Sequence, residues 1–264
     1  MKRGKGMSFL NRAFASIGIG SAKVDTKLDS SQFIPGETVT GIVDIKGGNV
    51  EQQVDEIYLS VMTSYEKEVN DRKVKENVII QKCRLTEGFV LKADERKEIP
   101  FSFTLALDTP ITLGRSKVWI QTGLDIKLAI DPTDHDYIEV LPHPYVRSCM
   151  NALEDLGFTI YQVANELAPM RLRHRLPFVQ EIEYKAHKGP FYRRLDEIDT
   201  MFIVEENQLT LFLEVDRAAR GLAGFLSEIT NTDETLVRLT FTKSELANAT
   251  EVRRRIEETI QMYS

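Results

Sequence analysis

The chain has 264 residues and a formal net charge of −6, from 34 Lys and Arg against 40 Asp and Glu. The length accommodates two domains, and the charge disfavours nucleic acid and anionic membrane as partners. No apolar run approaches the roughly 20 residues that span a bilayer. The two cysteines, Cys83 and Cys149, are too few for a disulfide framework or a thiolate zinc site, which fits a reduced cytoplasmic protein.

The first 20 residues are basic but lack the continuous apolar core of a secretory signal. Phe9, Leu10, Ala13, Phe14 and Ile17 recur at helical spacing behind Ser8, a capping residue type. A short N-terminal helix is expected there. With Lys2, Arg3 and Lys5 it offers one reading as a membrane-surface adaptor. Its short apolar stripe favours docking on the protein itself.

Period-two alternation then takes over. Val39, Val43 and Ile45 share one face, as do Ile57, Leu59 and Val61, and then Phe101, Phe103, Leu105 and Leu107. Val118, Ile120, Leu124, Ile126, Leu128 and Ile130 continue the pattern. This is the signature of antiparallel strands with one buried face. Breakers at Pro35-Gly36, Gly47-Gly48-Asn49, Asn70-Asp71, Pro100 and Pro110 divide them. Strands without intervening helices predict a sandwich. The run from Val118 to Ile130 exceeds a usual strand and predicts a bulge or bend near Gly123.

Asp131, Asp134, His135, Asp136 and Glu139 follow within nine positions. Asp131, Asp134 and Asp136 have the residue types of a hard-cation site, and one alternative makes them the centre of a Ca- or Mg-dependent switch or an enzyme. The stretch lacks the spacing and turn glycine of the helix-loop-helix calcium motif. Asp131-Pro132 instead reads as the end of a strand and the start of a connector. A helix follows over "PYVRSCMNALEDLG", with Pro144 in the first turn and Val146, Cys149, Met150, Leu153 and Leu156 as its stripe.

Alternation resumes in "FTIYQVA", "FVQEIEYKA", the hairpin-like "DTMFIVEENQLTLFLEV" and "TLVRLTF". Between the first two, Arg171, Arg173 and Arg175 would form a basic stripe if extended, able to grip a carboxylate-rich or phosphorylated partner. The chain ends in a helix carrying Leu246, Ala249, Val252, Ile256, Ile260 and Tyr263, with opposite charges four apart at Glu251–Arg255, Arg253–Glu257 and Arg254–Glu258. Trp119 lies on the parity opposite to its strand's apolar residues, which suits contact with a neighbouring domain or a partner.

The expected organisation is an N-terminal tail (1–20), a first sandwich (21–131), a connector (132–143), a second sandwich with an added helix (144–242) and a C-terminal helix (243–264). No G-x-S-x-G, H-E-x-x-H, P-loop or CxxC motif is present, and none of the four histidines has a nucleophile near it in sequence. No catalytic residue and no cofactor is expected.

Three segments also carry a resemblance. "FIPGETVTGIVDIKGG", with Pro35, Gly36, Glu37, Val39, Gly41 and Val43, resembles the early hairpin of arrestin-type domains. "KEIPFSFTLALDTPIT" and "VWIQTGLDIKLAIDPTDHDYIEV" are similar to later strands of the same domains. Together with "LEVDRAARGLAGFLSE" they resemble the Spo-zero-M-type sporulation-control proteins of bacteria over nearly the whole chain. The resemblance implies tandem arrestin-like β-sandwiches, no catalysis, and a regulatory or scaffolding role through protein partners. No position-by-position match exists for the phosphate-sensing core of arrestins. Docking would use edge strands and a concave surface, and a second copy of the chain could pair through the C-terminal helix or an edge.

Overall fold

The computed structural model describes residues 22–70, 72–126, 131–170, 172–195, 197–216 and 236–263. The expected N-terminal helix, Leu128 and Ile130 lie outside them. The chain is mainly β, with fourteen described strands and three described helices. It divides into two compact units that interleave in sequence: residues up to 63, 79–106 and 118–139 form the first, and 64–78, 107–117 and 140 onward form the second.

The first unit holds two sheets. One has the order β1 (Lys23–Leu28), β3 (Thr38–Lys46), β7 (Arg96–Thr104). The other contains β4 (Gln52–Val69), β8 (Val118–Ile126), β9 (Thr133–Val140) and β2 (Gln32–Phe33) in that order, with β5 (Arg72–Thr86) and β6 (Phe89–Leu91) also pairing β4. The alternating residues predicted from sequence are the buried ones: Val39, Val43 and Ile45 from β3, Ile57, Leu59 and Val61 from β4, and Val118, Ile120, Leu124 and Ile126 from β8. Each such side chain contributes about 1.5–3 kcal/mol by leaving water.

The Pro35-Gly36-Glu37 turn closes by a bond from Glu37 N to Ile34 O at 3.0 Å, and Gly36 supplies a φ of 92°. Further along β3, Gly41 sits between Leu28 and Phe101 in register. A Cβ there would lie 2.4 Å from the Lys27 carbonyl oxygen and 2.8 Å from the Phe101 ring. The irregularity expected near Gly123 falls instead in β4, between Val54 and Glu56. Gly123 makes room for an aromatic ring. Tyr58 occupies the space of its missing side chain, 2.4 Å from where a Cβ would stand.

The second unit is built on an antiparallel meander of β10 (Phe158–Leu167), β11 (Phe178–Ala186), β12 (Glu197–Val204), β13 (Gln208–Asp216) and β14 (Leu236–Thr242). Helices α1 (Pro144–Asp155) and α3 (Ala249–Tyr263) pack together over one face. Val146, Cys149 and Leu153 of α1 and Val252, Ile256 and Ile260 of α3 share a core with Ile182, Ile198, Leu211 and Phe241. The apolar seam of α3 is thus buried within the chain. His143 caps α1, its Nδ1 accepting from Tyr145 N at 3.2 Å.

The expected single terminal helix is broken in two. Thr242 and Glu245 form a reciprocal capping box for α2 (Lys243–Leu246), and Asn248 Oδ1 accepts from Glu251 N at 3.2 Å at the head of α3. Two caps in seven residues end one helix and start the next. Arg254 bonds both Glu251 and Glu258, while Arg255 reaches Glu245 at 2.8 Å.

Candidate functional site

The acidic stretch expected as a connector is strand β9, paired antiparallel to β8 with Ile120 opposite Asp136 and Thr122 opposite Asp134. Asp134, Asp136, Ile138 and Val140 share the inward parity, and the last two are buried. Carboxylates at the first two inward positions hid the strand in the sequence. Asp134 Oδ2 accepts from Thr26 N at 2.7 Å, and the Thr26 and Thr122 hydroxyls meet at 2.5 Å. Those bonds tie β1 of one sheet to β8 and β9 of the other. Asp136 keeps one buried oxygen without a hydrogen-bond partner. Burial first, and then the neighbouring Asp134, push its carboxyl up to about 6. Asp131 works elsewhere, its Oδ1 accepting from Ile126 N at 2.9 Å at the end of β8. Among the described residues no group of three or more His, Cys, Asp or Glu side chains is arranged to hold a metal ion.

Trp119 lies on the outer face of the same sheet. Register places Met62, Trp119 and Tyr137 in one row across β4, β8 and β9. The Trp119 and Tyr137 rings meet at 6.1 Å between centroids with an interplanar angle of 52°. Tyr137 is 67% exposed, while Trp119 and Met62 are half-buried. Tyr58, over Gly123, extends this aromatic face and carries the Lys82 ammonium 4.0 Å from its ring centroid.

Around the arginine segment, residues 168–170 and 172–177 are loop and not strand, so Arg173 and Arg175 are not set on one strand face. Arg171 lies outside the described residues. Arg173 Nη2 donates to Ala168 O at 3.2 Å. Arg175 forks onto Asp108, with Nε at 3.0 Å from Oδ2. That pair fastens segment 107–117, which is held further by Gln180. The Gln180 amide accepts from Ile111 N and donates to Ile111 O, both at 2.9 Å, and also reaches Ser116 and Asn165. Ile111 itself joins the second unit's core.

Sequence reasoning missed a row of acids on the face of the meander away from the helices. Glu183, Asp199 and Glu214 stand directly opposite one another across β11, β12 and β13, and all are buried. Like charges so placed repel. Glu181, one row along and opposite Met201, is fully buried and neither carboxylate oxygen has a hydrogen-bond partner. Burial, and then the charges of Asp199, Glu166, Glu214 and Glu183, push its carboxyl up to about 10. It is a neutral acid at pH 7. Lys185 offsets part of the row, 3.4 Å from Glu183 and 3.8 Å from Glu197. Each Glu looked like an outward polar position of a strand, and only the register reveals the row.

Two β-built units, the first a sandwich in which the Pro35-Gly36-Glu37 turn leads from β2 of one sheet into β3 of the other, define a protein of the arrestin-like class. The sequence pattern described as SpoOM protein matches residues 10–219, so the chain belongs to the Spo0M family. It is 42% identical over 258 residues to the sporulation-control protein spo0M of Bacillus subtilis (strain 168), which covers 98% of this chain and all of that one. The crystal structure of Spo0M, sporulation control protein, from Bacillus subtilis superposes with a TM-score of 0.88 at 41% identity, over 93% of this chain and all of that chain.

Proposed function

We propose that this protein is a regulatory scaffold in the control of sporulation that acts without catalysis, in the cytoplasm, by docking a protein partner on the aromatic face of β4, β8 and β9. Family membership supports the regulatory role. No described helix is long and apolar enough to cross a membrane.

The observation that carries the docking is the Met62–Trp119–Tyr137 row. A 67% exposed tyrosine leaning on a half-buried tryptophan has the composition of an interface centre, where Trp, Tyr and Met are enriched. The β-ladder beneath fixes these side chains, so little ordering is required on binding. Complementation tests the reading: a spore-forming host without its own copy receives either the wild-type chain or Tyr137→Ala. The variant is expected to keep its thermal unfolding midpoint and lose complementation. Full restoration of sporulation by Tyr137→Ala would remove this face from the mechanism.

A further inference from the structure

The loop between β11 and β12 gathers three cations. From His187 to Asp196 the sequence holds Lys188, Arg193 and Arg194 against one carboxylate, Asp196, which lies outside the described residues, although the chain as a whole carries a net charge of −6. Among the described residues, none of these three cations forms an ion pair.

The loop is fixed from beneath. Phe191 is fully buried, with its ring centroid 5.6 Å from that of Phe158, and Leu195 is buried as well. His187 N donates to Gly157 O at 3.0 Å, and Arg194 N to Phe191 O at 3.0 Å. Arg193 holds a φ of 63°, a left-handed conformation that side-chain-bearing residues seldom adopt. Its guanidinium lies 5.3 Å from the centroid of the Tyr192 ring, which is 48% exposed. Lys188, Tyr192, Arg193 and Arg194 therefore face solvent from an anchored turn.

We propose that this loop is a second docking site, specific for an acidic segment of a partner protein. Arginine forks match carboxylates, and Arg with Tyr is a common composition of binding hot spots. A membrane surface fits less well. Three cations fall short of the roughly four to eight that hold a polybasic segment on anionic lipid. The loop's large apolar side chains, Phe191 and Leu195, are buried and unavailable for insertion.

The test uses the full chain and a labelled oligo-glutamate peptide, with binding read by fluorescence anisotropy. Saturable binding is expected, weakening as salt rises. The K188E/R193E/R194E variant should bind about tenfold or more weakly, and R193K/R194K should stay within a few-fold of wild type. Thermal unfolding checks that the variants are folded, and K188Q/R194Q, also expected to weaken binding, substitutes if the reversal variant is not. Unchanged affinity in the reversal variant, or in its substitute, overturns the proposal, as does the absence of wild-type binding at low salt. Tighter association with phosphatidylglycerol vesicles than with the peptide overturns it in favour of a membrane contact. None of these outcomes involves the aromatic face of the first unit, so the two proposals stand or fall separately.

Discussion

The side-chain amide of Gln180 pairs with the backbone of Ile111 as a neighbouring strand would, accepting at 2.9 Å from its N–H and donating at 2.9 Å to its carbonyl. The two residues are 69 positions apart. Segment 107–117 connects β7 to β8, both strands of the first unit, yet it belongs to the second. At Ile111 the Gln180 amide takes the place of a neighbouring strand, while the next residue, Thr112, donates its N–H to Val140 O at 3.0 Å.

Removing that amide should loosen the segment. Gln180→Ala leaves the Ile111 N–H unpaired in a partly buried place, with its carbonyl still accepting from Leu113 N at 3.1 Å, a loss of about 1–3 kcal/mol. Urea unfolding should register that destabilisation. Hydrogen exchange at the Ile111 amide should speed up well beyond the change at amides of α3. Equal acceleration everywhere would mean that Gln180 supports only global stability.

Gly41 leaves no room for any side chain. Gly41→Ala forces a methyl against both the Lys27 carbonyl and the Phe101 ring, and overpacking of this kind costs about 1–3 kcal/mol. Adding Phe101→Leu should recover only a fraction of the loss, because the backbone contact at 2.4 Å remains. Complete rescue by Phe101→Leu would show that the ring alone enforces the glycine.

Asp136 should make stability fall as pH rises through the acid range. Its folded carboxyl sits at about 6, above the ordinary value of 3.8, so between those values the folded state binds more protons than the unfolded state. Stability is lost as pH increases from about 4 to 6, and the penalty is fully present above 6. Asp136→Asn removes the charge. The variant should gain on wild type across that window, by denaturant midpoint, and hold a constant advantage at neutral pH. A wild-type-minus-variant difference that is flat from pH 4 to 7 contradicts the assignment.

Much of the first unit was legible because its parity is clean. Val118, Ile120, Leu124 and Ile126 keep one parity, broken only by Thr122, and all are buried. β9 escaped because Asp134 and Asp136 hold inward positions normally given to apolar residues. The break in the terminal helix escaped because Leu246, Val252, Ile256 and Ile260 all face one core across it, so periodicity alone reads straight through Ala247 and Asn248. The arginine stripe required an extended backbone that residues 168–170 and 172–177 do not adopt. The Met62–Trp119–Tyr137 row, the Glu183–Asp199–Glu214 row and the Gln180 clamp depend on which strand lies beside which. No local pattern carries that information.

The interleaving of the two units bears on how such a protein can change over evolutionary time. The backbone passes from one unit to the other at 63/64, 78/79, 106/107, 117/118 and 139/140. A gene fusion, duplication or deletion with its breakpoint anywhere from 64 to 139 would deprive both units of chain they need. A break at 63/64 or 139/140 would spare one unit and divide the other, so no single breakpoint yields both units intact.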